Sequence, residues 1–143
     1  MITGIGIDLT EVSRIKDSID MYGQSFLSRI YTSSEITYCE SFSQNCMPHY
    51  TGFFSAKEAF SKALGTGIGQ YCSFLSLEIS HDMHGKPIII INDSLKELIK
   101  DCQIHLSISH TNNMAIAIVI LSKDEEIEPL LHTISQSFIG QNI

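Results

Sequence analysis

The sequence predicts an α+β fold, on three observations. Apolar side chains alternate with small or polar ones over residues 2–7, 73–81 and 104–109, the period of a strand, and residues 88–91 and 114–121 are dense apolar runs that read as strands. Residues 49–64 instead repeat apolar positions at helical spacing. The two kinds of element do not follow the strict strand–helix–strand rhythm that a parallel sheet requires. With 143 residues the chain suits one domain, and a domain of about 150 residues buries roughly 70% of its unfolded surface.

Residues 2–7 (Ile-Thr-Gly-Ile-Gly-Ile) form the first strand, with glycines that let a neighbour approach closely. Asp8 falls where that strand ends. Thr10 is placed to cap a helix over 11–22, and Gly23 to stop it. Residues 24–31 read as a short helical turn, and Thr32-Ser33-Ser34-Glu35 fits a capping box opening another helix. Residues 43–48 are expected to be a loop. From His49 a longer helix runs to about Leu64, with Phe53, Ala56, Phe60, Ala63 and Leu64 on one face. Gly65-Thr66-Gly67-Ile68-Gly69 ends it, because glycine tolerates the left-handed backbone of a helix stop.

In residues 73–81, Phe74, Leu75, Leu77 and Ile79 are set against Ser76, Glu78 and Ser80. His84-Gly85-Lys86-Pro87 turns the chain into a returning strand from Ile88 to Ile91, giving a hairpin. Ser94 is placed to cap a short helix to about Asp101. A strand over 104–109 and a turn at His110-Thr111-Asn112-Asn113 lead to the apolar strand Met114 to Leu121, expected to be central and covered on both faces. Residues 1–123 are read as the folded domain and 124–143 as a C-terminal extension. In the extension, Leu130, Leu131, Ile134 and Phe138 share a helical face.

Composition narrows the class. Hydrophobic residues make up 43% and charged residues 17%, values of a globular chain. The net charge of −7 is concentrated in Asp124, Glu125, Glu126 and Glu128, and no basic stripe suggests nucleic acid. The apolar runs fall short of the about 20 residues that span a bilayer. The opening Met1-Ile2-Thr3-Gly4 reads as folded sequence rather than as a signal peptide. Cys39, Cys46, Cys72 and Cys102 form no CxxC pair. A cytoplasmic protein with reduced thiols is expected.

The helix 49–64 carries the residues that point to chemistry. Ser55, Glu58 and Lys62 share one face, Lys57 and Ser61 form the adjacent stripe, and the opposite face is apolar. The glycine loop that follows could bring backbone amides to a phosphate, although it is not a Walker loop, since the lysine precedes the glycines. His105, Ser107 and Ser109 project to one face of their strand, with His110 just beyond. If Asp8 and Glu58 meet, their repulsion calls for a cation. Oxygen ligands favour Mg²⁺, which also takes substrate phosphates and water, and such a site suits displacement at phosphorus. The plainer readings are a solvated Glu–Lys pair, a helix stop and a strand histidine. The residues alone thus lead to metal-assisted phosphoryl chemistry and no further.

The order of these segments is more specific. Gly4-Ile-Gly-Ile-Asp8-Leu-Thr-Glu11-Val-Ser-Arg14-Ile15, Phe26-Leu-Ser-Arg29-Ile-Tyr-Thr32 with Glu35, Ser55-Ala-Lys57-Glu58-Ala-Phe-Ser-Lys62-Ala-Leu-Gly65-Thr-Gly67-Ile-Gly69, His84-Gly85-Lys86-Pro87 and His105-Leu-Ser-Ile-Ser-His110-Thr resemble bacterial holo-acyl-carrier-protein synthases of the 4′-phosphopantetheinyl transferase family. The likeness runs from residue 1 to about 122. It implies a compact α+β fold, antiparallel strands packed against a long helix, and a homotrimer with sites between subunits. It also implies transfer of 4′-phosphopantetheine from coenzyme A to a serine of acyl carrier protein, releasing adenosine 3′,5′-bisphosphate, in support of fatty acid biosynthesis. Asp8 and Glu58 match its Mg²⁺ ligands. Glu58, directly or through water, would help deprotonate the serine, and Lys62 would stabilise phosphate charge. Lys62, Gly65, Thr66, Gly67 and His105 match positions along coenzyme A. Arg14 and Arg29 match positions that grip the acidic carrier.

One departure stands out. The family usually has Gly-Arg before the Ala-Lys-Glu run, where this chain has Gly52-Phe53. The phosphate side would then fall to the metal, Lys62 and His105, with Lys57 or another lysine compensating. Two alternatives accompany the transferase reading. One is a Mg²⁺-dependent nucleotide hydrolase, and the other a coenzyme-A-binding or carrier-binding module without activity.

Overall fold

Alternate glycines in the first strand decide how the layers meet. The computed structural model describes residues 1–124. Strand β1 (Ile2–Glu11) continues past Asp8. Thr10 is therefore a strand residue and not a helix cap; its hydroxyl donates to Asp8 Oδ2 at 2.7 Å. The period of two simply runs on, with Gly4, Gly6, Asp8 and Thr10 on one side. Helix α1 (Val12–Tyr22) starts at Glu11 with no side-chain cap. Gly23, at φ 52°, ends it and returns its amide to the Ile19 carbonyl, as expected.

Helix α2 (Gln24–Ile30) follows directly. Helix α3 (Ser33–Glu40) opens with the predicted capping box: Thr32 Oγ1 accepts from the Glu35 amide at 3.3 Å, and Glu35 Oε2 accepts from the Thr32 amide at 2.8 Å. The long helix α4 (Cys46–Leu64) starts earlier than the expected His49. Pro48 lies in its first turn, where a missing amide hydrogen leaves no helical bond unmade. Gly65, at φ 88°, closes it in the left-handed conformation.

The alternating stretch 73–81 is not one strand. Phe74–Ser76 make a 3₁₀ turn, closed by a 2.7 Å hydrogen bond between the Ser73 and Ser76 hydroxyls. Strand β2 (Leu77–His81) begins only after it and pairs antiparallel with β3 (Pro87–Ile91). Helix α5 (Asp93–Leu98) is capped by Asn92 rather than Ser94; the Asn92 side chain accepts from the Leu95 amide at 3.0 Å. Burial of Leu95 in the core sets that phase. Strands β4 (Cys102–His110) and β5 (Met114–Lys123) complete the chain. The helical face expected within 124–143 lies outside the described residues.

There are two sheets, β1–β5–β4 and β2–β3, with every described pairing antiparallel. β5 is central, as expected. α4 lies across one face of its sheet, so closely that a Cβ on Gly6 would stand 1.9 Å from the Ala59 carbonyl oxygen and one on Gly4 2.1 Å from that of Ala63. Only glycine fits at these two positions. Ala115, Ala117, Val119 and Leu121 of β5 pack under the helix and are buried. The other face differs from expectation. Ile7 is 54% and Leu9 60% exposed, and Ile5, Ile116 and Ile118 join them. One helix can cover only one side of a three-stranded sheet.

Candidate active site

Asp8 lies opposite Ala117 in the β1–β5 register, on the face that α4 covers. Gly6 lets the helix in, and this close approach carries Lys62 to the strand. Lys62 Nζ donates to Asp8 Oδ1 at 2.9 Å and to the Ile7 carbonyl at 3.1 Å. With Thr10 on Oδ2, both oxygens of the Asp8 carboxylate are held. The Asp8 side chain is 13% exposed and that of Lys62 50%.

Glu58 lies one helical turn before Lys62 and is partly buried. Burial lifts its carboxyl above the usual range, the Asp8 charge adds to the lift, and Lys62 and Arg14 oppose it. Glu58 on α4 therefore feels the charges of Asp8 on β1, Lys62 on its own helix and Arg14 on α1. That the two carboxylates lie near enough to feel each other's charge is what the sequence alone left open. Among the described residues no group of three or more His, Cys, Asp and Glu side chains could hold a metal by itself. Two carboxylates in mutual repulsion are nonetheless the donor set that Mg²⁺ uses when phosphates and water supply the rest.

The glycine loop uses the amides of its three glycines within the chain. The Gly65 amide donates to the Lys62 carbonyl at 3.0 Å, Gly67 to Ser61 at 3.1 Å and Gly69 to Cys72 at 2.9 Å. Thr66 Oγ1 donates to the Gly67 carbonyl at 2.9 Å. The last carbonyls of α4 need partners, and the loop supplies them. His105 is also elsewhere within the chain. It pairs with Ile120 on the open face of the sheet, its Nε2 2.9 Å from Ser122 Oγ. The sheet thus lies between His105 and the Asp8–Lys62 pair. Arg14 and Arg29 are exposed on the consecutive helices α1 and α2. Arg29 borders a cavity of about 340 Å³ with Ser18, Tyr22, Ser25, Phe26 and Ile30.

Two further positions correct the sequence reading. Lys57 is fully buried, its Nζ donating to the Ile30 carbonyl at 2.8 Å, Glu35 Oε2 at 2.8 Å and the Phe74 carbonyl at 2.9 Å. Burial draws its ammonium below the ordinary lysine value, and Glu35 opposes that. Lys57 is therefore not available to a phosphate. The legible signal was its stripe: Tyr50, Phe53, Phe54, Phe60 and Leu64 surround it at helical spacing. Phe53 is itself a core residue, stacked on Tyr38 with ring centroids 5.4 Å apart. It lines a cavity of about 210 Å³ with Tyr38, His49, His81, Ile108 and His110. Burial, then the His110 and His81 rings, lowers His49 below the ordinary histidine value.

Known proteins match this arrangement along most of the chain. A family model described as the 4′-phosphopantetheinyl transferase superfamily matches residues 4–119. A holo-[acyl-carrier-protein] synthase of Nautilia profundicola is 51% identical over 119 residues, covering 83% of this chain and 99% of the relative. The synthase of Halothermothrix orenii is 45% identical over 123 residues, covering 84% and 97%. The crystal structure of a holo-(acyl-carrier-protein) synthase from Bacillus anthracis, in complex with coenzyme A (3′,5′-ADP), superposes with a TM-score of 0.75 at 40% identity, covering 87% of this chain and 99% of that one. With the first strand, the long helix and the acidic pair between them all inside the matched span, the chain belongs to the 4′-phosphopantetheinyl transferase superfamily.

Proposed function

We propose that the protein is a holo-[acyl-carrier-protein] synthase that moves 4′-phosphopantetheine from coenzyme A to a serine hydroxyl of apo acyl carrier protein, in support of fatty acid biosynthesis. The observation that carries this is the Asp8–Lys62–Glu58 cluster where α4 crosses β1. The serine oxygen forms a bond to the phosphorus bearing pantetheine, the bond to the nucleotide phosphate breaks, and adenosine 3′,5′-bisphosphate leaves.

Asp8 and Glu58 would hold a Mg²⁺ ion, which when bound neutralises pyrophosphate charge. Thr10 keeps the Asp8 carboxylate oriented. Glu58, directly or through water, helps to take the proton lost by the serine. Lys62, half exposed, turns its ammonium from Asp8 to the phosphates. Arg14 and Arg29 grip carboxylates of the carrier from α1 and α2.

The working form is a homotrimer with sites between subunits. The open Ile-rich sheet face supports this, since so large an exposed apolar surface on a small chain marks an interface. The position of His105 on that face supports it too, because only an assembly can bring His105 to the Asp8 site of a neighbouring copy. Residues 1–123 form the transferase domain and 124–143 an extension. Among the described residues no helix is long and apolar enough to cross a membrane, and the four cysteines are free thiols; action in the cytoplasm agrees with both.

The test is incubation with coenzyme A, Mg²⁺ and apo carrier. The carrier should gain the mass of one phosphopantetheine arm. Nucleotide release without that gain would instead identify a hydrolase.

A further inference from the structure

Lys57 and Glu58 are neighbours in α4, and at about 100° per residue they point in different directions. Glu58 faces the Asp8 site, while Lys57 enters the core. The Lys57 ammonium spends its three hydrogens on three separate segments: the last residue of α2 (Ile30), the first turn of α3 (Glu35) and the turn before β2 (Phe74). Glu35 is equally buried and equally committed. Its Oε2 also accepts from the Thr32 amide at 2.8 Å, and its Oε1 accepts from the Ile79 amide at 2.6 Å. No buried side-chain polar atom among the described residues lacks a partner.

A buried ion pair is a poor device for stability alone, because apolar residues of similar volume usually do as well. What this pair does is directional. It holds α4 at one rotation about its axis, and it joins that helix to the residue directly after Arg29. We infer that Lys57 and Glu35 are a positioning pair that aims Glu58 at Asp8 and keeps the Arg29 helix in fixed relation to that site. The inference rests on the transferase reading above.

Two variants of the full chain test it. Lys57→Met with Glu35→Gln removes both charges, while the carboxamide oxygen of the second substitution can still accept from the Ile79 amide. Glu35→Asp keeps the charges but shortens the reach by one carbon. In whichever variant melts cooperatively near the wild-type temperature, kcat should fall roughly 10- to 100-fold, the range for supports one step behind a metal ligand. KM for the carrier should rise while KM for coenzyme A changes less. Calorimetric Mg²⁺ binding should weaken in the same variant. Wild-type kcat, carrier KM and Mg²⁺ affinity in a folded variant would overturn the inference. If the wild-type protein, run in parallel, adds no arm to the carrier, the reaction itself is wrong; Mg²⁺ binding then still reads the positioning claim.

Discussion

The two faces of the β1–β5–β4 sheet come from alternate residues of the same strands, yet they are different surfaces. The covered face presents Gly4, Gly6, Asp8 and Thr10 from β1, with alanines, valine and leucine from β5. The open face presents Ile5, Ile7 and Leu9 beside Ile116 and Ile118, edged by His105, Ser107 and Ser109. Small residues let a helix backbone close in, and the close approach makes the acidic site. Large residues on the other side leave a greasy surface that no described residue outside the sheet packs against. Among the described residues, bulk is thus placed on the face away from α4, and its absence on the face where α4 meets Asp8.

The largest expected effect tests the covered face. Asp8→Asn or Glu58→Gln should lower transfer by about 100-fold or more, the scale of losing a group that stabilises charge in the transition state, and should weaken the Mg²⁺ dependence. Near-normal turnover in both variants would remove the metal assignment. Gly6→Ala comes next. Its methyl would meet the Ala59 carbonyl oxygen at 1.9 Å, so α4 must move. Overpacking of this kind costs about 1–3 kcal/mol, which thermal unfolding would show, and turnover should drop because Lys62 and Glu58 move with the helix. A wild-type melting temperature and turnover would show that the glycine is not needed for the approach.

Ile118→Glu probes the open face. A charge there should leave the fold intact and convert a trimer to monomers in sedimentation, with turnover falling in step if His105 serves a neighbour's site. An unchanged sedimentation profile would place the interface elsewhere. The smallest effect concerns the pocket at the edge of the covered face, where His49 meets His110 with ring centroids 5.1 Å apart. Burial keeps His49 below its ordinary value of 6.5. The unfolded chain therefore takes up the proton first. Stability from His49 is complete above pH 6.5 and declines as pH falls through the lowered folded-state value. His49→Gln should flatten that decline in melts below pH 6.5; an identical slope would assign the loss to other groups.

Much of this was legible. The Thr32–Glu35 capping box is local, so four residues contain all its information. The glycines of β1 announced a close neighbour, and Asp8, Glu58 and Lys62 stood in recognisable motifs. The misreadings share one cause. Thr10 has the chemistry of a helix cap, but the strand ran on and turned its hydroxyl to Asp8. Ser94 can cap a helix as well as Asn92 can, and the burial of Leu95 chose between them. Lys57 shares a helix with Lys62, and periodicity separates their directions without saying which direction meets solvent. α2, α3 and the turn at Phe74 cover the first and leave the second half open.

The sequence by itself determined the α+β class, most of the elements, the helix stops and the acidic and basic residues of the site, because these depend on side-chain period and on contacts a few residues apart. Tertiary structure decided that Asp8 meets Lys62 and lies within electrostatic reach of Glu58, that Lys57 belongs to the core, and that His105 lies across the sheet from them. Those outcomes depend on which face of each element a distant segment covers. A period of two or 3.6 names the faces of an element but not their neighbours.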